Sequence, residues 1–232
     1  PVGTLYHTRP LKMLYIIDTE TNGLPSSFYP AFQDYDEWPR LQSIAFKREH
    51  ESETTETEEV IIKADFEINE TASKIHGITR EISDRNGVPV VDALDRLADA
   101  IGEDPAPVLC AYNVAFDKGV MYVSPPRIES TSGPPFLTPT RRLAECYRNN
   151  LADLADRLQS PEVKWLCLMK KAHRALKRRP HHQYLKLSEC VAKIDSISRE
   201  SPQTFKYHSA KGDVDAAAKI LQFLITLEQN LN

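Results

Sequence analysis

The chain has 232 residues, is 41% hydrophobic and 27% charged, and carries a formal net charge of -4. That is the composition of an ordinary globular protein with enough residues to bury a sizeable core, and its bulk charge does not mark a nucleic-acid binder. No apolar run reaches membrane-spanning length and no signal peptide is visible, which argues against a membrane-embedded or secreted protein and for a cytoplasmic one, nucleoid or nuclear if the source is eukaryotic or viral.

The elements follow in order. Met13–Asp18 reads as a short, β-branched, buried strand that ends in an acid, with a second acid two positions on and a turn at Asn22-Gly23. Ser26–Pro39 reads as a long loop, Arg40–Lys47 as a second strand, Glu49–Glu59 as a polar hairpin loop holding six Glu, and Val60–Ala64 as a third strand. Asn69 is placed to cap a short helix and Gly77 to stop it. Val90–Ile101 is an amphipathic helix, Val108–Tyr112 a fourth strand and Ala115–Val123 a helix. Ser124–Thr140 carries five prolines and reads as a surface loop, followed by a helix over Arg141–Gln159. Val163–Leu176 begins apolar and turns basic, Lys177–His182 is a basic loop, Leu185–Ile194 a short helix, and a final helix runs from about Ala210 to Leu231. Strands first, then strands alternating with helices, predict an α/β fold: a mixed sheet with helices on its faces. No linker divides the chain, so one domain is expected over 1–232, with a core of about 12–228 and an added region near 124–162.

Four acids stand out. Asp18 and Glu20, two apart on a strand, project from one face. Asp117 lies in the first turn of a helix, and Asp213 lies on the apolar stripe of the last helix with Ala216, Ala217, Ile220, Leu221 and Leu224. A buried stripe is a poor place for an unpaired carboxylate. Asp215 points off that stripe and reads as solvated. Four acids converging at one end of a sheet repel one another, and two divalent cations would neutralise them. Oxygen-only ligands favour Mg2+ or Mn2+ over zinc. Two such ions clamp the attacking and leaving oxygens of a phosphodiester displacement. His208, five residues before Asp213, would then take the proton from water. The four cysteines, Cys110, Cys146, Cys167 and Cys190, show neither metal spacing nor a disulfide framework, as in a reducing compartment.

On these residues the chain resembles the DEDDh class of 3′–5′ exonucleases, close in pattern to the epsilon proofreading subunit of bacterial DNA polymerase III. Asp18-Thr19-Glu20-Thr21 is similar to the first family motif, Asn113-x-x-Phe116-Asp117 to the second and His208-x4-Asp213 to the third. Ala72-x-x-Ile75-His76-Gly77-Ile78-Thr79 is similar to a segment of the epsilon-like branch. The sister class has Tyr-x3-Asp in the third motif; three residues beyond Tyr207 stands Lys211, so the spacing selects the histidine class. The resemblance implies a ribonuclease H-like fold whose mixed five-stranded sheet starts with an antiparallel meander. It implies Asp18, Glu20 and Asp213 on one metal, Asp18 on a second that Asp117 reaches through water, and His208 as base. Departures are Tyr112 where relatives often have His, and a longer stretch over Ser124–Pro161.

The implied activity is removal of nucleoside 5′-monophosphates from the 3′ ends of single-stranded or frayed DNA, in proofreading or end processing, with a DNA polymerase as a partner. The alternatives are RNA 3′-end trimming on the same scaffold, and a non-catalytic docking subunit. For substrate contacts the resemblance points to Thr19, Thr21, Leu24 (a wedge beside the last base), Ile75, His76, Asn113 and Phe116. Turn packing for Leu24, a polar residue before a helix-stopping glycine for His76, and core packing for Phe116 are the competing readings. From Val163 to Ser188 the chain has eight Lys/Arg and no acid, and Lys170–Arg179 reads either as a track for a DNA backbone or as a solvated helix face. The Glu-rich loop should sit away from a nucleic acid.

Overall fold

A computed structural model describes residues 13–26, 38–50, 55–102, 104, 107–121, 163–176, 183–199 and 201–230. Strand β1 (Leu14–Thr21) is central. It pairs antiparallel with β2 (Leu41–Glu49), which pairs antiparallel with β3 (Glu58–Ile61). On its other side β1 runs parallel to β4 (Val108–Ala111), and β4 parallel to β5 (Lys164–Cys167). The order β3-β2-β1-β4-β5, an antiparallel meander joined to parallel strands and flanked by helices, is the ribonuclease H-like arrangement.

The helices are α1 (Glu70–His76), α2 (Arg80–Asn86), α3 (Val90–Ile101), α4 (114–121), α5 (Leu168–Ala175), α6 (Leu187–Ser198) and α7 (Ala210–Asn230). Alternation along β1 divides the core. Tyr15 and Ile17 face α3, packing with Leu94, Leu97 and Ile101 and with Val120 and Met121 of α4. Ile16 faces the opposite side and packs with Val214, Ala217, Ile220 and Leu221 of α7 and Val191 and Ile194 of α6. Each large aliphatic side chain so removed from water contributes about 1.5–3 kcal/mol. Asp18 and Glu20 share the Ile16 face, so the strand period aims both at α7. Among the described residues no helix is long and apolar enough to cross a membrane.

Several boundaries move. Strand β1 does not stop at Asp18; it continues to Thr21 because Leu41 and Ser43 supply a partner, with a register irregularity between Glu20 and Thr21. The Glu-rich stretch is not all loop. Glu49 ends β2, while Glu58 and Glu59 open β3, two residues ahead of the expected start. Asn69 caps α1 through Ala72 N–H and Gly77 stops it in the left-handed region, at φ 82°, as their residue types foretold. The short helix α2 was not foreseen; Thr79 caps it. The expected loop Ser124–Thr140 and helix Arg141–Gln159 lie outside the described residues, as do His181 and His182.

Candidate metal centre

One ligand atom each from Asp18, Glu20 and Asp213 lies within 4.8 Å of the others. Two come from one face of β1 and one from the first turn of α7, so the centre exists only because that turn docks over that face. The docking is built locally. The Ser209 side chain accepts the Gly212 N–H (3.2 Å) and donates to the Lys206 carbonyl (2.8 Å), capping α7. A Cβ on Gly212 would stand 2.0 Å from that same carbonyl, so only glycine lets the helix start against the turn. His208 sits in the turn at φ 61°, exposed, and its N–H donates to both Asp213 oxygens at 3.3 Å.

Asp117 stands beside this group rather than in it. It is 3% exposed, and its Oδ1 accepts the Thr19 N–H (3.1 Å) and the Thr19 hydroxyl (2.9 Å). Thr19, on the α3 side of β1, thereby ties α4 to the strand that carries Asp18 and Glu20.

Proton affinities record the crowding. Burial is the largest influence on each acid. It lifts Asp18 well above the usual carboxylate range, and Asp117, Asp213, Glu20 and Glu59 add repulsion in that order. Glu20 is pushed up to about 8 by burial and then by Asp213, Asp117 and Glu59. Asp117 rises to about 7 through burial, against the pull of the two Thr19 donors. Asp213 rises to about 6 through burial, opposed by the His208 N–H and by the His208 charge. Burial and mutual repulsion thus both favour the uncharged form of these carboxylates, and a cation between them would remove that bias. The oxygen-only donor set and its spacing fit a hard divalent ion.

The remaining candidates spread around this end of the sheet. Thr21 is buried and its hydroxyl donates to the Gly23 carbonyl (2.6 Å). Leu24 is 80% exposed and Ile75 55%. His76 is buried; its Nδ1 accepts the Ile78 N–H (3.0 Å), burial lowers its pKa and the Thr21 backbone opposes that shift. Thr21 and His76 therefore meet, with Ile75 beside them in the chain. Asn113 is half-buried in the turn before α4 and accepts the Phe116 N–H at its carbonyl (2.9 Å). Phe116 is half-buried against the α3-side core, with its ring 6.4 Å from that of Trp38.

Other neighbours of the centre were invisible to the sequence. Ser43 is the cross-strand partner of Glu20; it is fully buried and its hydroxyl has no hydrogen-bond partner among the described residues. Glu59 is in register with Asp18 through Ala45, so the Glu-rich stretch does not lie wholly apart from the centre but adds charge to it. Asp215 is not simply solvated. It is half-buried, accepts the Thr57 hydroxyl (2.5 Å) and lies 3.8 Å from Lys47, which lies 3.6 Å from Glu49. Only cross-strand register and helix docking reveal such partners. Among the described residues Cys110, Cys167 and Cys190 are free thiols.

No protein-family model and no curated protein sequence matches the chain. Solved structures do. A zinc-ion-bound E. coli exonuclease I–single-stranded DNA complex is 18% identical, with 95% of this chain and 42% of that one covered at a TM-score of 0.62. Exonuclease I of Methylocaldum szegediense is 20% identical, with 94% and 41% covered at 0.59. Cell-death related nuclease 4 is 14% identical, with 94% and 65% covered at 0.58. At these identities the similarity is one of fold, and the chain spans about two fifths of the exonuclease I chains.

Proposed function

We propose that this chain is a metal-dependent 3′–5′ exonuclease domain that hydrolyses the terminal phosphodiester of single-stranded DNA and releases nucleoside 5′-monophosphates. The observation that carries the reading is the convergence of Asp18, Glu20 and Asp213 within 4.8 Å on a sheet end of this fold. Two divalent ions, Mg2+ or Mn2+, would supply charge neutralisation and activation of the attacking water. The chain's own residues do the rest. Asp18, Glu20 and Asp213 would hold the ions, and Asp117, fixed by Thr19, would add its charge beside them. His208, exposed in the turn ahead of α7, takes the proton of the attacking water. Leu24 and Ile75, both exposed, offer apolar surface to the terminal base, and Thr19, Thr21, His76, Asn113 and Phe116 are the further substrate contacts that the resemblance implies. The exonuclease I–single-stranded DNA complex among the similar structures supports DNA as substrate. The Ile75–Thr79 segment supports an epsilon-like, proofreading role beside a polymerase.

The test is incubation with end-labelled single-stranded DNA and RNA in Mn2+, with parent and His208→Ala compared. Parent protein should release mononucleotides from DNA faster than from RNA. His208→Ala should turn over roughly 10²–10⁴-fold more slowly while keeping the thermal stabilisation given by Mn2+. Release from neither polymer would sink the reading in favour of a docking role. Faster release from RNA would reassign the substrate. Loss of the Mn2+ response in His208→Ala would make His208 a ligand.

A further inference from the structure

The acid-free stretch from Val163 to Ser188, with eight of the chain's Lys/Arg and none of its 33 acids, is not used by the centre as described. Within it, β5 leads directly into α5, and residues 183–186 return alongside. Both arms are tied to one residue. The Met169 N–H donates to the Tyr112 carbonyl (3.0 Å), and the Tyr112 hydroxyl donates to the Leu185 carbonyl (2.6 Å). Tyr112 immediately precedes Asn113 and the turn into α4, which carries Asp117. The basic stretch therefore starts at the end of the sheet where the carboxylates converge.

Cations and one aromatic ring stand out among the exposed side chains of its described residues. Lys170 and Arg174, one helical turn apart on α5, flank His173, and Lys186 stands just before α6. Tyr184 packs edge-on against His173, with ring centroids 4.9 Å apart and planes at 67°, yet stays 46% exposed. An edge-on contact fixes a ring without covering both its faces. Lys171 belongs to a different contact, 3.6 Å from Glu228 on α7, and is left out. A solvated helix face needs cations but has no use for a fixed, half-exposed aromatic among them. Aromatic platforms between cations are how sequence-neutral single-strand binders hold bases and phosphates together.

We infer that this face is the track along which single-stranded DNA leaves the candidate centre, with a base stacked on Tyr184 and phosphates on Lys170, Arg174 and Lys186. The inference rests on the exonuclease reading for the direction of the strand. Strands held only at the terminal nucleotides would not feel these residues; longer strands would.

The test is fluorescence anisotropy with labelled oligothymidylates of about four and about 20 nucleotides, spanning the usual range of single-strand site sizes, in EDTA and over a salt series. Parent protein should bind the long strand more tightly than the short one. Tyr184→Ala should weaken long-strand binding by roughly tenfold, and Tyr184→Phe should restore it, because stacking uses the ring and not the hydroxyl. Combined Lys170→Gln, Arg174→Gln and Lys186→Gln should flatten the log–log salt slope by about two, at about 0.7 per phosphate contact on a single strand. Thermal melting confirms that each variant is folded. Equal affinity for both lengths, a Phe variant as weak as the Ala variant, or an unchanged salt slope would each overturn the track. Parent protein that binds as expected but releases no mononucleotide in Mn2+ overturns the exonuclease reading and leaves the track standing.

Discussion

Asp117 and Glu20 lie at the same end of one sheet, yet their surroundings differ in kind. Asp117 is almost wholly buried, and two donors from one residue, the Thr19 N–H and hydroxyl, converge on its Oδ1. Glu20 faces carboxylates, Asp213 first and then Asp117 and Glu59, and the nearest hydroxyl across the strand, on Ser43, makes no hydrogen bond among the described residues. Burial raises the pKa of both, to about 7 and about 8. The Thr19 donors oppose the rise at Asp117, and nothing among the described residues opposes it at Glu20. One corner is satisfied by the protein itself, and the other is the one that the proposed cation would complete. Variants in the first should disturb the protein with or without metal; variants in the second should matter mainly when metal is present.

The largest expected effect is in the cation-dependent corner. Asp18→Ala should abolish mononucleotide release and remove most of the stabilisation by Mn2+, which for an ion at a hundred times its dissociation constant is about 2.7 kcal/mol. The metal-free variant should melt no lower than the parent, because a buried, repelled acid has gone. A variant that keeps its Mn2+ shift in scanning calorimetry would take Asp18 out of the centre.

Next is pH. The folded-state values of Asp18, Glu20, Asp117 and Asp213 are all raised above those of ordinary carboxylates. The folded protein thus holds more protons than the unfolded chain between pH about 4 and about 8. Their contribution is fully present below pH 4 and is lost as pH rises through about 6 for Asp213, about 7 for Asp117 and about 8 for Glu20. In EDTA, urea midpoints should therefore decline from pH 5 to pH 8, Mn2+ should reverse the decline, and Glu20→Gln should shrink it. A pH dependence identical in Glu20→Gln and parent would refute the assignment.

The last two predictions separate the corners directly. Thr19→Val keeps the N–H but deletes the hydroxyl donor to Asp117; it should cost about 1.5 kcal/mol, the low end for a hydrogen bond to a charged group, in EDTA and in Mn2+ alike at pH 8. Ser43→Ala deletes a buried hydroxyl that has no hydrogen-bond partner among the described residues, so metal-free stability should not fall. If that hydroxyl orients Glu20 once an ion is held, Mn2+ affinity by calorimetric titration should weaken by about tenfold, the lower range for residues that position a ligand. A stability loss in EDTA for Ser43→Ala, or one confined to Mn2+ for Thr19→Val, would erase the contrast.

The sequence by itself determined the pieces whose logic is local. Two residues apart on a strand means one face, so Asp18 and Glu20 were legible as a pair. The position of Asp213 on an apolar helical stripe foretold a carboxylate aimed inward. The cap at Asn69 and the stop at Gly77 follow from side-chain chemistry and left-handed backbone. Tertiary structure alone decided the neighbours. Pairing with Leu41 and Ser43 carried β1 past the end of its apolar run. Register set Ser43 across from Glu20 and brought Glu59 into line with Asp18. Docking of α4 against β1 gave Asp117 to Thr19, 98 residues away, and docking of α7 gave Asp215 to Thr57, 158 residues away. The physical reason is that the backbone period fixes the direction of a side chain from the residues beside it, whereas strand register and helix docking, which choose what it meets, are settled by burial over the whole sheet.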